Sequence, residues 1–418
     1  MVHVRLPESR WLLAGICFWV LASTAGLADQ DPAPGIPSNA PGATLLVPYF
    51  EVDLDAPDGR TTLISLRATS PEPALTHMTI WSDLGVPVLS FSIYLTGYDE
   101  QSLNMRDILV GGVLPQTAPN GFDSPVGDFS NAGPAPPACN SVLPPPNLNA
   151  LTLNYLTGAL TGNASPPFGL CFGQPYGDKI ARGYVTIDVV SFCPQDFPGD
   201  PGYFISGGVG IASNDNVLRG EFMLADLSGS GELQFLPAVS LRALSDSATT
   251  TPGNPTFYGS LNFFDASDNR EALPSRWRAP IDGPTDLIVW RGPRVPRNPF
   301  QCGTADLLSF EPGADRTVVS PRGNGEMLGL PADSPFPIVA QRVSLGRNSD
   351  FADTGFQIKP SGLLFNAEHS GEPNFQADQN YQQALIMSLG FPSGLPAGHY
   401  SSNAVPLQSA YDNPNFAN

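Results

Sequence analysis

The chain has 418 residues, a formal net charge of −19 and 45 Pro with 42 Gly. That many helix breakers exclude a mainly helical protein, since Pro costs ~3 kcal/mol and Gly ~1 kcal/mol inside a helix. The acidity excludes a nucleic-acid partner, which needs a positive surface, and the length is a soft prior for two or three domains.

The N-terminus reads as a signal peptide over residues 1–28. Arg5 and Arg10 form its basic part, Trp11 to Ala22 its apolar part, and small residues offer cleavage after Ala25 or Ala28. The apolar run is short for a membrane anchor, and Ile16 before Cys17 does not suit lipid attachment. No later run is long and apolar enough for a membrane helix, so the expected location is secreted, periplasmic or cell-surface. Removing residues 1–28 takes away Arg5, Arg10 and Glu8 and leaves the net charge near −20.

Residues 29–41 form a Pro-rich leader. A first strand follows over Ala43 to Asp53, then a turn ending in Pro57-Asp58-Gly59. Arg60 to Leu109 reads as a β-meander of four strands. Within it Leu89, Phe91, Ile93 and Leu95 point one way and Val88, Ser90, Ser92 and Tyr94 the other, the period-two pattern of a half-buried strand. Such a sheet needs a second layer. The expected fold is therefore all-β, with antiparallel sandwich-like domains, one short helix and long Pro/Gly-rich loops. An immunoglobulin-like meander forms its first half, without the Trp and flanking cysteines of that fold.

Residues 111–180 are a loop insertion carrying the one helix candidate, Leu148 to Leu160. Its expected face is Leu148, Leu151, Tyr155 and Ala159, and Gly158 and Gly162 mark its end. Strands resume at Ala181 to Cys193, with Val185, Ile187 and Val189 inward and Thr186 and Asp188 outward. Val217–Ala225 and Leu233–Leu241 follow as a hairpin pair. A boundary near 246 would divide a sandwich domain, 42–246, from a second β-rich domain, 247–418. Strand candidates there are Phe257–Phe264, Leu287–Trp290, Ile338–Leu345, Gly355–Ile358, Leu363–Asn366, Ala384–Phe391 and Ala404–Leu407. Irregular strand spacing and Pro-rich loops argue against a transmembrane barrel.

Four cysteines remain after the leader, Cys139, Cys171, Cys193 and Cys302. In an exported protein they read as two disulfides. Of three connectivities, Cys139–Cys171 with Cys193–Cys302 is the expected one.

Five constellations carry possible chemistry. Asp53, Asp55 and Asp58 gather three carboxylates before Gly59, which makes calcium the candidate cofactor; a solvated turn is the plainer reading, because the EF-hand spacing is absent. His77, His369 and His399 lie far apart, and neither a His-Glu-x-x-His nor a Gly-x-Ser-x-Gly motif occurs. Asp188, Glu221 and Glu232 are strand carboxylates that would suit glycoside hydrolysis if ~5–10 Å apart. Arg276, Trp277, Arg278, Trp290 and Arg291 form a candidate ligand patch, in which arginine beside tryptophan stacks on sugars or binds acidic glycans; the plainer reading of the segment Arg270 to Arg297 is local pairing with Asp265, Asp268, Glu271, Asp282 and Asp286. The cysteines are the fifth.

The segments TLLVPYFEVDLDAPDG (44–59), YLTGYDEQSLNMRDIL (94–109), ARGYVTIDVVSFC (181–193), FPGDPGY (197–203) and TDLIVW (285–290) resemble a group of uncharacterised exported bacterial β-rich proteins. The resemblance implies export and brings no catalytic residue with it. The expected function is an exported, non-catalytic envelope or extracellular protein presenting loops for binding or adhesion, to a glycan or another envelope protein. The alternative is a secreted hydrolase acting on polysaccharide through strand carboxylates.

Overall fold

The computed structural model describes residues 40–117, 139, 142–163, 173–205, 210–228, 232–243, 256–258 and 268–273, and short segments between 276 and 406; of those last, only 286–290, 339–342 and 385–389 have described side chains. The first half runs β1 (Thr44–Asp53), β2 (Arg60–Ala68), β3 (Ala74–Ser82), β4 (Pro87–Leu95), β5 (Glu100–Asn104), α1 (Met105–Leu109), α2 (Ala150–Leu160), β6 (Ile180–Val189), β7 (Leu218–Asp226), β8 (Glu232–Pro237) and β9 (Val239–Leu241). The second adds β10 (Arg276–Ala279), β11 (Thr285–Arg291), β12 (Thr317–Val319), β13 (Leu328–Gly329), β14 (Ala340–Leu345), β15 (Leu363–Asn366), β16 (Ala384–Gly390), β17 (Ser401–Ser402) and β18 (Val405–Pro406).

The strands make four antiparallel sheets. The first has the order β4-β3-β6-β1-β9 and the second β5-β2-β7-β8; the third is β14-β11-β16-β17 and the fourth β13-β12-β15-β10-β18. The first two face each other as a sandwich. Val47, Val185, Ile187, Ile64, Leu66, Phe222 and Leu224 fill its interior, each at most 3% exposed.

The expected four-strand meander does not form. Both edges of β2 are occupied by β5 and β7, so the chain after Ala68 crosses to the other sheet. There β3 pairs with β4 and β6, and after Leu95 the chain crosses back. Alternation reports which face is apolar and is blind to which sheet a strand joins. The fourth expected strand stops at Asn104, whose side-chain oxygen accepts the Arg106 N–H at 3.0 Å and caps α1. Leu233–Leu241 also divides: β8 stays on β7, and after Pro237, which has no N–H to continue the ladder, β9 pairs with β1.

α2 starts at the Asn149 cap and ends at Thr161, followed by Gly162 at φ +70°, a conformation that favours glycine. Its buried residues are Leu156, Ala159 and Leu160, while Leu151 is 63% exposed. Of the expected face, Ala159 is buried and Leu148 and Tyr155 pack partly buried against the core, so only Leu151 departs from it. Cys139 is bonded to Cys193, tying the insertion to the chain just beyond β6. This corrects the expected pairing; proximity in the folded chain, not the shorter loop, selects the partner. Cys171, Cys302 and residues 1–28, the expected signal peptide, lie outside the described residues, as does Gly355–Ile358. Among the described residues no helix is long and apolar enough to cross a membrane.

The other face of the first sheet was expected to be wet and is not. Thr186 and Asp188 are 1% and 0% exposed. Tyr184 meets Trp290 of β11 edge-on at 5.9 Å, and Phe257 stacks on the same Trp290 at 5.2 Å. Residues on both sides of 246 therefore share one core.

β1 carries a bulge between Val47 and Phe50, at Pro48. Beyond it the Phe50 ring lies over Gly183: a Cβ there would sit 2.9 Å from that ring and 2.0 Å from the Trp81 carbonyl oxygen. The carbonyl belongs to the neighbouring strand and cannot yield cheaply. Gly183→Ala is expected to cost at least about 1–3 kcal/mol, the usual range for overpacking, read as a fall in the denaturation midpoint. An unchanged midpoint would refute this packing.

Candidate functional site

Strand register sets Ser92 (β4), His77 (β3), Asp188 (β6) and Thr44 (β1) side by side in one row across the first sheet. All four are buried. The Ser92 hydroxyl and His77 Nδ1 are 3.2 Å apart. Asp188 Oδ1 accepts the Thr44 hydroxyl at 2.5 Å, and Oδ2 accepts the hydroxyls of Tyr203 and Tyr258, each at 3.0 Å.

Arg270 closes the row from the second half. Its guanidinium donates to Thr44 Oγ1 at 3.1 Å, Asn214 Oδ1 at 2.9 Å, Asn269 Oδ1 at 3.0 Å and the Ser213 carbonyl at 2.5 Å. Asp268 accepts the Thr256 hydroxyl at 2.6 Å and the N–H groups of Tyr258 and Arg270 at 3.1 and 2.9 Å. Burial raises the Asp188 pKa, opposed by Arg270 and the three hydroxyls, and pushes Asp268 up to about 6. Burial lowers His77 to about 4, so its ring is neutral at physiological pH.

A serine, a histidine and an aspartate in one row have the composition of a nucleophilic triad, but not its wiring. Triad chemistry requires the aspartate to orient the histidine, and here both Asp188 oxygens are taken by hydroxyls. Ser92 is 5% exposed and His77 and Asp188 0%, so no substrate reaches them. The row acts as a polar tie that fastens the second half onto the first sheet.

A second node lies on Glu51. Its carboxylate accepts Arg60 at 3.2 Å, Arg342 at 2.7 Å and the Tyr49 hydroxyl at 3.1 Å, and Arg342 also pairs with Asp286 at 2.6 Å. This joins β1, β2, β11 and β14, and every partner is engaged within the node.

A solvent-open groove of about 240 Å³ lies where α1 and α2 meet the β1–β2 turn. Leu54, Leu109, Val110, Ala150 and Leu153 line it, with Asn154 and Thr157 at its polar side. Arg106 holds α1 to this turn by donating to the Asp53 carbonyl. Asp53 Oδ1 accepts the N–H groups of Asp55 and Ala56 at 3.0 and 2.9 Å, closing its own turn. Asp55 and Asp58 are exposed. Among the described residues, no three of His, Cys, Asp or Glu are gathered to hold a metal.

The Arg/Trp patch is divided. Arg276, Trp277 and Arg278 lie on β10 of the fourth sheet, Trp290 and Arg291 on β11 of the third. Trp290 is 1% exposed and is a core residue, not a sugar platform; the aromatic residues that stack on it come from segments that the sequence leaves unconnected. Glu221 is exposed on the second sheet, Glu232 opens β8, and Asp188 is buried in the first sheet, so these carboxylates are not brought together. His369 and His399 lie outside the described residues. Sequence reasoning missed Glu51, Tyr203 and Tyr258; Arg270 and Asp268 it gave only as local ion-pair partners, and the structure has Asp268 accept the Arg270 N–H. The available signal was Asp188 itself, a carboxylate inside the apolar run VTIDVV. No family model, no curated protein and no solved structure matches the chain.

Proposed function

We propose that the protein is an exported, non-catalytic binding protein of the envelope or extracellular space. Its recognition surface is the end of the sandwich that carries α1, α2 and the β1–β2 turn. The observation behind this reading is the groove between those elements: apolar, open, and with Val110 of its wall 40% exposed. An apolar groove edged by Asn154 and Thr157 suits an apolar peptide segment of another envelope protein better than a bare glycan, because burying apolar surface dominates such contacts.

The test is a thermal-shift screen of the oxidised protein against peptides, glycans, calcium and chelator, since a ligand that prefers the folded state raises its Tm. Leu153→Glu is expected to weaken peptide binding about tenfold to a hundredfold, the worth of one buried leucine. Leu153 is only half-buried, so the unliganded Tm should hold. Turnover of a glycan or ester by the purified protein would overturn the reading, as would undiminished binding by the Leu153→Glu variant.

A further inference from the structure

Asp83, in the turn between β3 and β4, is fully buried where three parts of the chain meet. Its Oδ1 accepts the Gln174 N–H at 3.0 Å. Its backbone carbonyl accepts the N–H groups of Val339 and Ala340, at 2.8 and 3.2 Å, at the entry to β14. Its Oδ2 has no partner of hydrogen-bond geometry. The groups that act on it are the Tyr176 hydroxyl beside the carboxyl and the Arg182 guanidinium of β6. Arg182 is itself held by Asp178 at 2.6 Å. From the β14 side Val339 and Ala340 bring no charge, and Arg342 is engaged by Glu51 and Asp286. The C-terminal end of α2 brings none either: Gly162 there packs against Pro175 of the same loop.

A buried carboxylate with one oxygen unsatisfied is costly, and a neutral carboxyl in the same place costs far less. We propose that Asp83 is a protonation-controlled tie: neutral, it keeps the 173–176 loop and the entry of β14 closed on the first sheet; ionised, it lets both open. This stands independently of the binding reading.

The sign follows from linkage. Burial holds the closed-state pKa up to about 7, against an ordinary value of 3.8 once the carboxyl meets water. The closed form therefore binds more protons between those values. Opening becomes easier as pH rises, by up to about tenfold per unit and on the order of a thousandfold in all, and levels off above about 7. Asp268, raised to about 6, acts in the same direction elsewhere on the seam. His77, lowered to about 4 from 6.5, acts oppositely over that interval. A melting curve would mix the three, so the measurement must resolve sites.

Amide hydrogen exchange on the oxidised full chain does so. With intrinsic rates removed, the opening constants at Gln174, Val339 and Ala340 should rise about fiftyfold from pH 5 to pH 7 and level off by about pH 8, while Asp83→Asn gives no such slope. A flat wild type, or an equal slope in the variant, overturns the proposal. Should Asp83→Asn fail to fold, the carboxyl carbon of Asp83 in the wild type decides by its shift: a midpoint near 7 supports the tie, and one below 5 overturns it.

Discussion

Replacing Asp188 with alanine is expected to lower the folding free energy by about 3–5 kcal/mol, the cost of leaving a buried charge without its counterpart. Chemical denaturation of the oxidised protein measures it. The substitution strips the acceptor from the hydroxyls of Thr44, Tyr203 and Tyr258. It also leaves the Arg270 guanidinium buried with one fewer compensating carboxylate. Asp188→Asn should cost less, because its carbonyl still accepts from the hydroxyls while its amide can donate to a tyrosine oxygen. A loss below about 1 kcal/mol for Asp188→Ala would mean that the second half does not cover this face of the first sheet, since an exposed strand carboxylate costs little to remove.

The Asp188 result also carries a pH signature. Burial raises its pKa in the fold, so the fold binds more protons than the unfolded chain and its contribution declines as pH rises out of the acid range. Asp188→Asn removes that component and leaves those of Asp83 and Asp268. The same logic explains why the row is structural. Catalytic carboxylates are perturbed where solvent and substrate arrive, whereas these are perturbed because nothing arrives.

What was legible in the sequence is what alternation encodes. Of the apolar face Leu89, Phe91, Ile93 and Leu95, the last three are buried and Leu89 is half-buried. Val185, Ile187 and Val189 point inward as read. The β7–β8 hairpin and the end of α2 at Gly162 were also visible, because turn chemistry is local. Strand partnership was not, since β2 shows the same period whether it lies beside β3 or across from it. Nor was the fate of the polar face. Thr44, His77, Thr186 and Asp188 alternate as wet residues do, and what dries them is a set of partners up to 226 residues away, the separation of Thr44 and Arg270. On α2 only Leu151 departs from the expected face, because it is as apolar as Leu156 and tertiary packing decides which of the two is covered.

Removing the Cys139–Cys193 bond, by Cys139→Ser together with Cys193→Ser, should cost about 4 kcal/mol on the loop-entropy relation for a closed span of 54 residues. Both positions must change together, because a lone thiol would be free to exchange with Cys171 or Cys302. The loss should be local in character. Cys139 is fully buried, and its carbonyl accepts the N–H groups of Val142 and Leu143, at 3.0 and 2.9 Å. The bond is thus the anchor from which the chain leads into α2. The sheets are held by their own ladders and do not depend on it. Far-UV circular dichroism should keep its β character, while limited proteolysis should cut ahead of α2 much faster than in the oxidised parent. Equal proteolysis of the two proteins would show that α2, docked through Leu156, Ala159 and Leu160, holds the insertion without the covalent tie.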